Sequence, residues 1–234
     1  RTTATAAGND WVLNGEKQFV LDGNVASLLI VSAQGPDGLQ LFVVPADADG
    51  VSITRIHPVD ERNLATVQLD DVHVPAAGRL PGGADALLQA LDLATIGLAA
   101  EMLGAADRAF AITLDYLKER VQFGVPIGSF QALQHRAARM FVQIELARSA
   151  VMSAAAEVDR GAEPDAIARH ASLLKVKLSE VLNLVACEGI QMHGGVGVTD
   201  EYDIGFYLKR ARTAEMLFGE PGWHLDRFAR LGGY

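Results

Sequence analysis

Up to about residue 75, apolar and polar side chains alternate in short runs. LLIVSA (28–33), LQLFVVP (39–45), VSITRI (51–56) and TVQLDDVHVP (66–75) each carry a period of two, which puts alternate side chains on one face of a strand. GPDG (35–38) separates the first pair and reads as a turn. In WVLNGEKQFV, Asn14-Gly15 lies between two shorter extended runs. Both residues tolerate positive φ, so the pattern predicts a two-residue hairpin there. RTTATAAGND, at the start, reads as the beginning of another strand. Several short strands at this spacing predict a small antiparallel barrel or sandwich.

PAAGRLPGGADA (75–86) reads as a linker, and beyond it the period lengthens to between three and four. Leu98, Met102, Ala105, Ala109, Ile112 and Tyr116 fall on one face of a long helix. A second helix carries Phe130, Leu133, Ala137, Met140, Ile144, Ala147, Val151, Ala154 and Val158, with Ser129 as its expected cap and Gly161 as its stop. Pro164 opens a third, which runs through Leu174, Leu178, Val181 and Val185 to His193-Gly194-Gly195. A fourth segment covers roughly 206–217. Short joints make neighbouring helices antiparallel, so the second part reads as a four-helix up-and-down bundle. The expected fold class is therefore α+β: a β domain over 1–80 and a helical bundle over 81–234. No internal repeat or low-complexity tract breaks this scheme.

Composition narrows the function classes. A net charge of −9, with basic residues scattered, argues against a nucleic-acid footprint. The single Cys187 excludes an internal disulfide framework and fits a reducing, cytoplasmic compartment. Half of the chain is hydrophobic, ample for a core. No apolar run reads as a membrane span; the richest, 93–106, is interrupted by Glu101. The chain begins at Arg1 in what reads as a strand, as expected of a piece of a longer polypeptide.

Two corners carry more chemistry than a joint requires. In RVQFGVPIGSFQALQH (120–135), Arg120 offers a planar fork suited to phosphate oxygens and Phe123 a flat apolar face, with Gln122 and Gln131 beside them. Such a set can hold a ligand with both a diphosphate and an aromatic ring. A cation closing a helix C-terminus, with Phe123 packed beneath it, explains the same residues. Spacing alone leaves both readings open. In QMHGGVGVTDEYDIG (191–205), the paired glycines can cap a helix or admit a ligand close to the backbone. There is no GxGxxG between a strand and a helix, so this is not a Rossmann fingerprint. His193 has no second ligand at helical spacing, and the bundle lacks Glu-x-x-His pairs, so metal chemistry is not expected. No serine lies in a nucleophile elbow, and Cys187 lies in the apolar VLNLVAC.

RVQFGVPIGSFQALQHRAARM and QMHGGVGVTDEYDIGFYLKRAR resemble two signature regions of the acyl-CoA dehydrogenase family of flavoproteins, and WVLNGEKQFVLDG resembles its middle β domain. The similarity runs in order along nearly the whole chain. It implies the middle and C-terminal domains of a three-part architecture, an FAD cofactor, an acyl-CoA substrate and an electron-transfer flavoprotein-like acceptor. It also implies a homo-oligomer (dimer or tetramer) or a heteromer with a paralogous subunit. Carried over by position, Arg120, Gln122, Phe123 and Gln131 would meet the diphosphate and adenosine half of FAD across a subunit interface. Gln191, Gly194 and Gly195 would line the same half. Phe19 and Val20 match the strand that backs the flavin ring.

The resemblance breaks at the catalytic base. In many members this is a glutamate followed by glycine, a short way past the KRAR-like segment. Here RARTAEMLFGEPGWH, counted from Arg210 without a gap, puts Phe218 just before that position, Gly219 on it and Glu220 one residue further. Relatives that place the base on the first bundle helix align it with LDLATIGL, which offers Ala94 and Thr95; Glu101 follows about two turns later. Leu21 replaces a threonine that often bonds the flavin. The catalytic residue is thus unassigned. The readings open are an active dehydrogenase using Glu220, a subunit without a base whose partner supplies one, and a different flavin reaction on the same fold.

Overall fold

The computed structural model describes residues 1–234. Its chain divides into two compact units, Arg1–Ala90 and Leu91–Tyr234.

The first unit is a seven-stranded sheet. Its strands are β1 (Thr3–Ala7), β2 (Asp10–Leu21), β3 (Leu28–Gly35), β4 (Gly38–Pro45), β5 (Val51–Ile56), β6 (Leu64–Val74) and β7 (Arg79–Leu80), in spatial order β5-β6-β2-β1-β3-β4-β7. All pairings are antiparallel except β1 against β3, where Thr3 faces Gln34 in parallel, so the sheet is mixed. Alternation decides the faces, as expected from the period of two: Leu29 and Val31 are buried while Leu28 and Ile30 point outward, 60% and 69% exposed. The core gathers Leu13, Val31, Phe42, Val44, Val67, Leu69, Val72 and Val74. The turn at 35–38 joins β3 to β4 in register, Gly35 opposite Gly38.

The hairpin expected at Asn14-Gly15 is not there. β2 runs straight through it and pairs with β6 on both sides, with a register shift between Leu13 and Gly15. Asn14 donates its Nδ2 to Asp71 Oδ1 at 2.8 Å and accepts from the Asp71 amide at 2.8 Å, so its polar side chain serves the neighbouring strand rather than a turn. At Gly15, φ is 134°, and a Cβ would lie 2.5 Å from the Arg1 carbonyl. The glycine marks a bulge where another backbone passes. The reversal between β1 and β2 falls instead at Gly8-Asn9.

The second unit is helical. Helix α1 (Gly83–Glu119) starts within the first unit and continues into this one. It is followed by a two-stranded ribbon, β8 (Val121–Gln122) and β9 (Val125–Pro126), then by α2 (Gln131–Asp159), α3 (Pro164–His193), α4 (Ile204–Met216) and α5 (Pro221–Leu231). By length and composition α1 can span a membrane, contrary to the sequence expectation. The same helix contributes to the helical core, burying Leu98, Ala99, Met102, Ala106 and Ala109. Facing them are Met140, Ile144 and Ala147 of α2, Leu174, Leu178, Val181 and Val185 of α3, and Ala211 and Ala214 of α4. Helix α3 is central, touching α2, α4 and α5. The bundle therefore has a fifth helix beyond the four expected. Pro221 at its first position, directly after Glu220, is the start signal that the sequence carried. Ser129 does not cap α2: its hydroxyl donates to the Pro126 carbonyl at 2.8 Å, and the N-cap is Phe130.

Candidate functional site

At the end of α1 the chain leaves the helix and folds back through the β8–β9 ribbon, whose two-residue tip is Phe123-Gly124. Both tip residues are left-handed, φ 54° and 82°. Such a turn favours asparagine or glycine at its first position; a phenylalanine there is strained. Its ring is nevertheless 92% exposed, touching only Phe130 edge-on at 6.2 Å between centroids. A strained, solvated aromatic side chain buries little of its ring in the fold. Gln122 is exposed beside it on β8, and Gln131, also exposed, opens α2. No side chain caps that helix, so its first amides are open to an acceptor. Arg120 is held through its backbone, its amide donating to Tyr116 O at 2.9 Å and its carbonyl accepting from Ile127 N at 2.8 Å. Its guanidinium is exposed and has no partner in the chain.

The second corner begins where α3 ends. Gly194 takes φ 66° and ψ −144°, a conformation open to glycine. A Cβ built on Gly194 or Gly195 meets nothing within 4 Å. Before them, His193 is buried, its Nδ1–H donating to Gly189 O at 2.7 Å. Its ring stacks on Tyr116 at 4.3 Å, and Tyr202 packs edge-on against Tyr116 at 5.5 Å. The Tyr116 hydroxyl donates to His193 O at 3.1 Å. His193 is a structural rivet between the ends of α1 and α3.

That rivet brings the two corners together. Arg120 and Gly195 line one open cleft of about 590 Å³, along with Tyr116, Glu119, Val196, Glu201 and Tyr202. Gln122, Phe123, Gln131, Gln191 and Gly194 do not line it; all five are exposed. The cleft combines one free cation, a glycine edge without side chains, and two carboxylates.

Phe19 and Val20 lie in the β unit. β2 changes register between Lys17 and Val20, and Phe19 sits in that bulge with φ 55° and 63% exposure. The bulge turns Phe19 outward while Val20 packs on the sheet's core. Lys17 donates to Ser32 Oγ at 3.0 Å, and burial lowers its pKa. Leu21 follows, 41% exposed.

The candidate carboxylates differ sharply. Glu101 is clamped by Arg210, Nε to Oε1 at 2.8 Å and Nη2 to Oε2 at 3.1 Å. Ala94 is half-buried, and Thr95 is buried, its hydroxyl spent on Leu91 O at 2.7 Å. Phe218 is left-handed, φ 57°, and packs on the bundle core. Gly219 follows with φ 108°. Glu220 is exposed and begins α5 without capping it through its side chain.

Sequence reasoning missed a buried polar network around this turn. Lys175, Ser172 and His224 are almost fully inaccessible, and Asp92 is paired with Arg227, Nη2 to Oδ2 at 2.8 Å. A signal was present: Ala171, Lys175, Leu178 and Leu182 share one helical face, so the lysine stands in an apolar stripe.

Residues 1–72 match the family description "Acyl-CoA dehydrogenase, middle domain", and residues 82–231 match "Acyl-CoA dehydrogenase, C-terminal domain". Among curated proteins, acyl-CoA dehydrogenase IpdE2 of Mycobacterium tuberculosis is 45% identical over 206 residues, covering 88% of this chain and 57% of that protein. A glutaryl-CoA dehydrogenase from Mycobacterium smegmatis, solved in complex with FADH2, superimposes with a TM-score of 0.93 at 29% identity, covering 100% of this chain and 61% of that one. The ChsE4-ChsE5 complex from Mycobacterium tuberculosis gives 0.92 at 28% identity, covering 99% and 62%. The chain spans less than two thirds of the length of these relatives.

Proposed function

The chain belongs to the acyl-CoA dehydrogenase family, and from that premise we propose that it forms the middle and C-terminal domains of an FAD-dependent enzyme that dehydrogenates an acyl-CoA thioester between its α and β carbons. The observation carrying this reading is the pair Arg120 and Phe123: a guanidinium without a partner beside a strained, 92% exposed ring. Neither is explained by the fold, and both suit a dinucleotide. The residues present fit FAD in other respects too. The Gly194-Gly195 edge leaves room for close backbone approach, and the uncapped start of α2 offers amides to phosphate oxygen. Glu119 and Glu201, which line the same cleft as Arg120, suit ribose hydroxyls as acceptors.

In this assignment Arg120 holds the diphosphate, and Phe123, Gln122, Gln131, Gln191, Gly194 and Gly195 surround the adenosine half. Phe19 and Val20 back the flavin ring. When bound, FAD supplies the acceptor for the hydride that leaves the β-carbon. The protein's share is to orient the thioester, exclude water and take the α-proton on a carboxylate oxygen. In this assignment Glu220 takes that proton: by ungapped count it is one residue past the family's base position, and no arginine clamps it as Arg210 clamps Glu101. The solvent-facing Phe123 favours a second chain completing the clasp, and reoxidation would fall to an electron-transfer flavoprotein-like acceptor.

One observation favours a second reading. Neither base position carries a carboxylate, Ala94 and Thr95 standing at one and Phe218 and Gly219 at the other. A chain of this kind would contribute flavin binding and assembly to a heteromer whose paralogous subunit supplies the base. The ChsE4-ChsE5 structure is itself a complex of two named components.

Flavin titration and substrate bleaching test both readings. Arg120→Ala should weaken FAD uptake at least tenfold, as expected for a lost charge-assisted contact. In the flavin-loaded protein, an acyl-CoA should bleach the visible flavin band, and Glu220→Gln should abolish the bleaching. Flavin uptake without bleaching, with bleaching restored by a paralogous subunit, supports the second reading; bleaching that survives Glu220→Gln rejects Glu220 as the base, and no FAD uptake at all rejects the proposal.

A further inference from the structure

The turn at 217–220 between α4 and α5 contains two consecutive left-handed residues, Phe218 (φ 57°) and Gly219 (φ 108°). A turn of that shape aims carbonyls away from its own backbone amides, so they need donors from elsewhere. Here side chains provide them. Lys175 Nζ donates to Glu215 O at 2.9 Å and, in a shorter contact, to Gly219 O. His224 Nε2–H donates to Phe218 O at 3.0 Å, while Nδ1 accepts from Ser172 Oγ at 3.2 Å. Ser172 and Lys175, three residues apart on α3, share a face, and both are fully buried. Three carbonyls in and before the turn are thus tied to the central helix by two titratable side chains.

Burying an ammonium group is unfavourable, and an apolar residue of similar volume commonly serves stability as well or better. Lys175 therefore calls for a reason beyond packing. A leucine or methionine at 175 fills the space but leaves the Gly219 and Glu215 carbonyls without their donor. Only a long arm with several N–H groups reaches both from α3. His224 adds a fixed direction: burial pushes its pKa down, so the ring is neutral, with one donor for Phe218 and one acceptor for Ser172. A Cβ on Gly219 would lie 3.1 Å from His224 Nε2, so the turn and the imidazole fit against each other. Glu220 is the next residue, and its carboxylate is the only one in the turn.

We propose that Lys175 and His224 are positioning residues that lock the 217–220 turn to α3, and thereby fix where the Glu220 carboxylate is presented. This rests on the proposed role of Glu220, while the lock itself can be read without any cofactor or substrate.

Hydrogen exchange on the full chain tests it with Lys175→Met, which keeps the volume, and His224→Phe, which keeps the ring. Amides in 216–224 should exchange about tenfold faster in Lys175→Met while the melting temperature and exchange in the cores of α1–α3 stay as in the unaltered chain. Lys175→Arg, which retains donors, should restore part of the protection. Wild-type protection of 216–224 in both variants overturns the proposal, as does a loss spread evenly over the bundle, which would make Lys175 an ordinary core residue. In the flavin-loaded protein, Lys175→Met should lower kcat with KM unchanged, and unchanged kcat counts against the positioning role. Absence of flavin uptake by the unaltered chain counts against the proposed function alone, and the exchange result then decides the lock.

Discussion

Replacing Phe123 with glycine should separate folding from cofactor binding, moving the two in opposite directions. The ring is 92% exposed and touches only the edge of Phe130, so its removal forfeits little packing. Its φ of 54° costs an ordinary residue about 1–2 kcal/mol, a strain that glycine does not bear. Against this, glycine widens the unfolded ensemble by about 0.4–1 kcal/mol. The fold should therefore be unchanged or stabilised by up to about 1 kcal/mol. Binding should respond otherwise. A phenyl ring presents roughly 200 Å², and a flat ligand covering half of it buries about 100 Å², worth about 2.5 kcal/mol at about 25 cal/mol per Å². At about 1.4 kcal/mol per tenfold, with some ordering cost returned, FAD affinity should fall about 10- to 60-fold. Thermal melting of the apo chain and a fluorescence titration of FAD read the two effects. An unchanged Kd would show that the tip does not contact the dinucleotide. A clear drop in melting temperature would show that the ring supports the fold after all.

Asp92→Ala should cost about 3 kcal/mol in urea denaturation, because Arg227 is left with a nearly buried, unpaired charge; the two side chains are 8% and 17% exposed. A loss under about 1 kcal/mol would mean that solvent screens the pair as it does at a surface. Lys175 titrates at about 8 in the fold, mainly through burial, against 10.5 when free. Below about 8 both states are protonated; between about 8 and 10.5 only the unfolded chain keeps the proton, so stability gains with rising pH. Relative to Lys175→Met, the unaltered chain should gain up to about 3 kcal/mol over that window, at about 1.4 kcal/mol per pH unit. A difference that stays flat with pH would place the ammonium in water.

Much of the fold could be read from periodicity, since repeated burial on one face leaves a strong pattern. The third helix was bounded correctly by Pro164 and His193, and β3 and β4 by the turn at 35–38. Asn14-Gly15 misled because a bulge and a hairpin tip ask the same thing of a residue, tolerance of unusual φ, and only the partner strand distinguishes them. Helix α5 was missed because residues 218–220 break the pattern just before it begins. For the candidate site, Arg120 and the glycine corner each stood out locally. Their meeting in one cleft depends on Tyr116 stacking on His193, a contact between residues 77 positions apart that no short pattern encodes. The Lys175 lock was hidden for a related reason: its acceptors are backbone carbonyls, which every residue possesses.

Of the six residues other than glycine that adopt positive φ, three are phenylalanines: Phe19, Phe123 and Phe218. An evolutionary screen rewarding heat resistance alone would replace Phe19 and Phe123 first, since asparagine or glycine suits both backbones better and neither ring is shielded. Under the flavin assignment proposed above, the winners of such a screen would be sturdy, colourless proteins. Libraries built on this scaffold should hold those two codons constant, or sort for yellow clones before sorting for endurance.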